Sequence, residues 1–198
     1  MTETTFVQHW AREGFAYCEA GSGETVVAIV GDDGPPTRAH ELLAERRRVM
    51  VFAMTADVGT PKEAARRLGA AVTALGLERF DLMGEGAGAA TAMWLALAPG
   101  VDIGSVVLAA PASILGSLSD EAFREMQRPM LVLSGTKDQS AAGDRWRTLL
   151  PDCHFMFVYY TGTAMGAERP EALAFIAHEF FERRDLFLVS RENGLVSP

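Results

Sequence analysis

The residues able to do chemistry lie in a few short segments. Asp32 and Asp33 sit in Gly31-Asp32-Asp33-Gly34-Pro35-Pro36, and Glu85 and Gly86 in Met83-Gly84-Glu85-Gly86-Ala87-Gly88. Asp138 closes Ser134-Gly135-Thr136-Lys137-Asp138, and Thr163 lies in Thr161-Gly162-Thr163-Ala164-Met165-Gly166. Carboxylates beside glycine-rich turns can serve as acids, as bases or as binding groups. Nucleophilic catalysis asks for more, namely a hydroxyl or thiol beside a base that a third group orients. The candidate bases are His9, His40, His154 and His178. Their placement in the first hairpin, the first helix, the start of a strand and the last helix marks them as packing or surface histidines. Cys18 and Cys153 form no disulfide framework and have no metal-ligand spacing, so they read as reduced thiols. No metal and no cofactor is expected.

The segment Gly84 to Ala89 also satisfies G-x-G-x-x-G/A, the dinucleotide fingerprint. Its second half is missing. The next strand should end in a carboxylate for the ribose, but it ends in Ala109-Ala110-Pro111. Glu85 would also oppose a pyrophosphate.

These segments need elements to hold them. Thr5 to Trp10 and Phe15 to Cys18 are strand-like on either side of Glu13-Gly14, which predicts an N-terminal hairpin. Val26 to Val30, Val49 to Ala53, Arg79 to Met83, Ser105 to Ala110, Met130 to Ser134 and Phe155 to Tyr159 are further strand runs, most of them continuously apolar. Between them fall helical stretches. One is capped by Thr37 and runs through Glu45, with Arg46, Arg47 and Arg48 at its C-terminal end, where the helix dipole favours cations. A second is opened by Pro61. A third, Ala89 to Ala98, carries no charge and so must be buried on most sides. A last helix spans about Pro170 to Arg184. Alternating strands and helices predict a mostly parallel sheet in a three-layer α/β/α sandwich. The chemistry then belongs on the loops at the carboxyl ends of the strands, after Val30, Met83, Ser134 and Tyr160.

Composition narrows the function classes. The 198 residues carry a formal net charge of −8 and are 48 % hydrophobic. That suits one globular domain over residues 1–184 with a tail at 185–198. An acidic chain argues against nucleic-acid binding and against docking to anionic lipid. No signal peptide or membrane-spanning run is visible, so a cytoplasmic protein is the expectation. The apolar run Asp185 to Ser190 could pair along a strand edge, join two subunits in a homodimer, or pack on its own body.

From Asp81 to Pro111 the sequence resembles the nucleophile-elbow region of the α/β-hydrolase family, which sets G-x-S-x-G between a strand and a buried helix. Ala20-Gly21-Ser22-Gly23 before Val26 to Gly31 resembles the approach to its oxyanion loop. Ser134 to Asp138 resembles the segment carrying the triad acid, and Thr161 to Glu171 the region of the triad histidine. The resemblance covers about residues 5 to 184. It implies an α/β-hydrolase-type sheet with an N-terminal antiparallel hairpin. Only Pro111 to Pro129 separates two strands where members commonly insert a helical cap, so a capless member is expected.

The chemical residues depart from that pattern. The serine position falls on Gly86 and the histidine position on Thr163, while the acid survives as Asp138. The family's mechanism needs all three. The oxyanion donors would be the Ala87 N–H and one near Asp32, with Asp32, Asp33 and Glu85 bringing negative charge to the same mouth. The expectation is a degenerate triad in a non-hydrolytic protein that binds a small ligand or a protein partner near Asp32, Asp33, Glu85, Gly86 and Ala87. The alternative is an active enzyme, either a weak carboxylesterase or one using Asp138 and nearby carboxylates.

Overall fold

A computed structural model describes residues 5–11, 14–31, 34–54, 59–111, 118–138 and 153–187. Among these residues eight strands form one sheet: β1 (Val7–Trp10), β2 (Ala16–Ala20), β3 (Thr25–Gly31), β4 (Arg48–Met54), β5 (Arg79–Glu85), β6 (Asp102–Ala109), β7 (Met130–Gly135) and β8 (Cys153–Val158). Their spatial order is β1-β2-β4-β3-β5-β6-β7-β8. β1 pairs antiparallel with β2, and β2 antiparallel with β4; every other pairing is parallel.

The period of two along the strands sorts the core into two layers. Val27 and Ile29 face one side with Met50, Phe52 and Leu82. Val26, Ala28 and Val30 face the other with Val49, Met83 and Val107. The first side is covered by α2 (Pro61–Ala74) and α3 (Gly88–Ala96). The second is covered by α1 (Arg38–Ala44) and α6 (Pro170–Arg183), with the short α5 (Met165–Glu168) between them. This is the expected three-layer sandwich. Between β6 and β7 the described chain contributes only α4 (Asp120–Arg124), whose Ser119 hydroxyl accepts from Ala122 N at 3.3 Å. Leu118, Phe123 and Met126 around it are buried in the core, so α4 belongs to the body of the domain rather than to a lid. Among the described residues no helix is long and apolar enough to cross a membrane.

One local expectation is corrected. The sequence places Arg46 to Arg48 at the C-terminal end of the first helix, where the dipole favours cations. The helix ends at Ala44, and Arg48 already belongs to β4. Its Nε lies 2.7 Å from Glu19. Arg47 turns inward and is 1 % exposed. Its guanidinium reaches Asp81 at 3.0 Å and Glu182 at 2.7 Å, and stacks 5.3 Å above the Phe181 ring. Asp81 also accepts from the Ser105 hydroxyl at 2.8 Å and faces Arg184 at 3.6 Å. Burial pushes the Asp81 carboxyl up from its ordinary value, against the Ser105 hydrogen bond and the two arginines. A buried carboxylate needs such counter-charge, and Arg47 is the residue the turn after α1 delivers to it.

Candidate functional site

Strand order locates the site. From β3 the chain passes to β4 on one side and then crosses to β5 on the other. The crevice beyond the carboxyl ends of β3 and β5 is the switch point at which open α/β sheets bind ligands. The turn from β5 into α3 lies there. Gly86 stands at its apex with φ +52°. Its N–H donates to Ala109 O at 3.0 Å, which ties the turn to the end of β6. A side chain would find space, since nothing lies within 4 Å of the place its Cβ would take. The backbone would still be strained for any L-residue other than glycine. The turn is pressed against the end of β3: a Cβ on Gly31 would come 2.7 Å from that of Ala87, and one on Gly88 would collide with the Ile29 carbonyl. Ala87 is the N-cap of α3, so the first N–H groups of that helix have no acceptor within the helix.

Glu85 is the last residue of β5 and points toward α1. Its Oε1 lies 2.7 Å from His40 Nε2, and His40 is wholly buried. The Thr37 backbone N–H donates to His40 Nδ1 at 2.9 Å, and the Thr37 hydroxyl lies 3.0 Å from the same nitrogen. Because Nδ1 accepts, the ring proton sits on Nε2 and faces the carboxylate. The contact is close, although the N–H is not squarely aligned on the oxygen. Glu85 is thus engaged from behind by a histidine. His40 itself is the packing histidine that its place in the first helix suggests. Its pairing with Glu85 was not anticipated. The local spacing signals only the cap, because Thr37-x-x-His40 places N-cap and N3 where a capping box puts Ser or Thr and Glu or Gln.

The loops after β7 and β8 are stitched together. Thr136 N donates to Val158 O at 3.1 Å, Lys137 N to Thr161 O at 2.8 Å, and Tyr160 N to the Thr136 hydroxyl at 3.0 Å. Asp138 is half-buried in a turn closed by its N–H to Gly135 O at 3.0 Å. Thr163 is exposed in the joined loop just before α5. The Glu168 carboxylate accepts from Gly162 N at 2.9 Å and so closes that loop on itself. Tyr159 and Tyr160 stand exposed at the end of β8. Asp32 and Asp33, and the tail at 188–198, lie outside the described residues. No group of three or more metal-ligating side chains occurs among the described residues. Burial pushes the Cys153 thiol up to about 12, which leaves it poorly suited as a nucleophile.

Comparison of the sequence with family models and with curated proteins gives no match. Comparison of the fold gives many. A serine hydrolase involved in carbazole degradation (CarC) is similar at a TM-score of 0.78 and 18 % identity, over 90 % of this chain and 99 % of that one. A predicted CIB-like hydrolase from Thermoplasma acidophilum is similar at 0.72 and 16 %, over 89 % and 98 %. The carboxylesterase CesB from Bacillus subtilis is similar at 0.72 and 14 %, over 90 % and 91 %. The chain has the α/β-hydrolase fold.

Proposed function

We propose that this protein uses the α/β-hydrolase fold for binding rather than for serine hydrolysis. In this reading Gly86, Asp138 and Thr163 occupy the positions of a triad that has lost its serine and histidine. A small ligand or a protein partner would be held at the carboxyl ends of β3 and β5, against Glu85, Gly86, Ala87 and the neighbouring Asp32 and Asp33. The observation that carries the reading is Gly86 itself. It stands at the elbow apex at φ +52°, with open space where a side chain would project and no side chain to react. Thr163 supports it, because a hydroxyl cannot serve as a base near neutral pH. Glu85, the residue before Gly86, turns its carboxylate toward His40 and so offers no group to take the place of the missing serine. The solved hydrolases of the same fold carry that name for their own activities; their likeness here extends to the fold.

The test is turnover of p-nitrophenyl acetate by the wild-type protein, Asp138→Asn and the double variant Gly86→Ser, Thr163→His. The expected result is wild-type turnover at the solvent background. The double variant is expected to rise measurably above it, because the serine finds free space and its missing base is restored. Wild-type turnover well above background that disappears in Asp138→Asn would overturn the proposal and point to an enzyme built on the carboxylates.

A further inference from the structure

We propose that the outer edge of β8, together with the exposed rings of Phe157, Tyr159 and Tyr160, docks an extended segment of a partner protein that carries Arg or Lys side chains. β6 and β7 separate this surface from β5 and the crevice over Gly86, so the proposal does not depend on what that crevice binds. β8 is the last strand of the sheet, and among the described residues no strand lies beyond it. It pairs parallel with β7, and in such a ladder alternate backbone groups point away from the partner strand. Natural edge strands are blunted by charged side chains, by proline or by shortness. β8 is six residues long, Cys153-His154-Phe155-Met156-Phe157-Val158, and has no Asp, Glu, Lys, Arg or Pro. The opposite edge, β1, has four residues. Phe157, Tyr159 and Tyr160 stand exposed within four consecutive positions. Single exposed apolar residues are ordinary, but a contiguous group marks an interaction surface. A fixed turn presents the two tyrosines. Tyr160 takes φ +62° and its N–H donates to the Thr136 hydroxyl at 3.0 Å. Arg169 reaches Tyr159 O at 3.4 Å, and the buried Thr161 donates its hydroxyl to Val158 O at 3.0 Å. Tyrosine rings on a backbone already held in place lose little freedom when they bind.

Three occupants suit an open edge: the chain's own residues after Phe187, a second copy, or a different protein. The first fails on handedness. Phe187 lies at the amino end of β8, its ring 6.0 Å from His154, so a strand that followed it would run parallel to β8. The connections that move across the sheet toward β8, from β4 to β5 and from β5 to β6, pass through α2 and α3 on the first side. The connection from β3 to β4 moves the other way, through α1 on the second side. A strand beyond β8 would be reached through α6, also on the second side, and its crossover would have the opposite hand to all of these. Parallel crossovers share one hand in about 98 % of cases. Charge decides between the other two. Each copy carries a net charge of −8, and two such copies repel as they approach. The same charge draws in a cationic segment. Arg and Lys are also the side chains that the face of a tyrosine ring attracts, through its quadrupole. Main-chain hydrogen bonds along β8 supply the affinity of such a strand addition, and its alternate side chains, set against Phe157 and the tyrosines, supply the selectivity.

The probe is an acetylated, amidated peptide of three Arg-Val repeats, titrated into the isotope-labelled full chain while its amide resonances are followed by NMR. Saturable shifts are expected at the amides of 154–160, weakening as salt is added. The double variant Tyr159→Ala, Tyr160→Ala is expected to bind about tenfold more weakly, the loss of two exposed cation–π contacts. Phe157→Lys sets a charge on the edge, as natural edge strands do, and is expected to abolish binding with the circular dichroism of the fold retained. The proposal is overturned by the absence of shifts, or by shifts spread over the acidic faces instead of 154–160. Equal binding of three Glu-Val repeats, or of three Arg-Pro repeats whose prolines cannot pair along an edge, would also overturn it. So would unchanged binding in both variants, or sedimentation showing a dimer of the full chain that Phe157→Lys dissociates, which would make a second copy the occupant.

Discussion

The two ends of the sheet treat charge in opposite ways. At the amino ends, Arg47 and Asp81 are almost fully buried and surrounded by Ser105, Glu182 and Arg184. At the carboxyl ends, where the fold places its chemistry, the turn carries a glycine, and the nearest carboxylate is turned toward a buried histidine. The dense ionic network is therefore at the end of the sheet away from the switch-point crevice. It joins the turn after α1, β5, β6 and α6. Polar groups at that end hold elements together. At the carboxyl end, Glu85 and His40 face each other behind the turn, and Gly86 at its apex has no side chain.

That contrast can be broken most sharply at Arg47. Arg47→Ala leaves Asp81 and Glu182 without their shared partner, and truncating one member of a buried pair costs about 3–5 kcal/mol. Urea unfolding should show a loss of that size, with the elbow otherwise unchanged. A loss under about 1 kcal/mol, the value of an exposed pair, would mean that the network is a surface feature and the contrast is wrong.

A smaller effect is expected at the elbow. Gly86→Ser meets no neighbour but adopts a left-handed backbone, so it should destabilise by about 1–2 kcal/mol. A serine variant more stable than wild type in urea would contradict the view that glycine relieves strain there.

The smallest effect is a pH dependence set by His178 on α6. Burial first, and then Arg47 and Arg46, push its imidazole below the ordinary value of 6.5, while Glu182 and Glu179 pull the other way. The folded state thus binds this proton less readily than the unfolded chain. The resulting stability is present above about pH 6.5 and declines as pH falls through that value toward the lowered one. Stability measured from pH 8 down to 5 should fall less in His178→Gln than in wild type, and equal slopes would mean that burial and the arginines do not lower the His178 imidazole.

Much of the fold was legible because its signals are local. Apolar runs such as Val26 to Val30 and Met130 to Ser134 announce strands buried on both faces, and Pro61 and Thr37 mark helix starts. The glycines of the elbow could be read because close backbone packing and a left-handed turn both demand them. The arginine run at 46–48 was misread for a related reason. Its sequence position beside a helix suggests a dipole contact, whereas its true partners, Asp81 and Glu182, are distant in the chain. The same holds for His40 and Glu85, which lie on different elements and meet only when α1 packs over the end of β5.

By itself, then, the sequence determined the order and type of the elements, the glycine at position 86 and the threonine at position 163. These follow from backbone propensity, hydrophobic period and residue identity, each local to a few positions. Only the tertiary structure decided which charges are buried and which histidine faces which carboxylate. Such contacts depend on how helices settle on the sheet, and no short-range pattern encodes the distance between two side chains that the chain separates by dozens of residues.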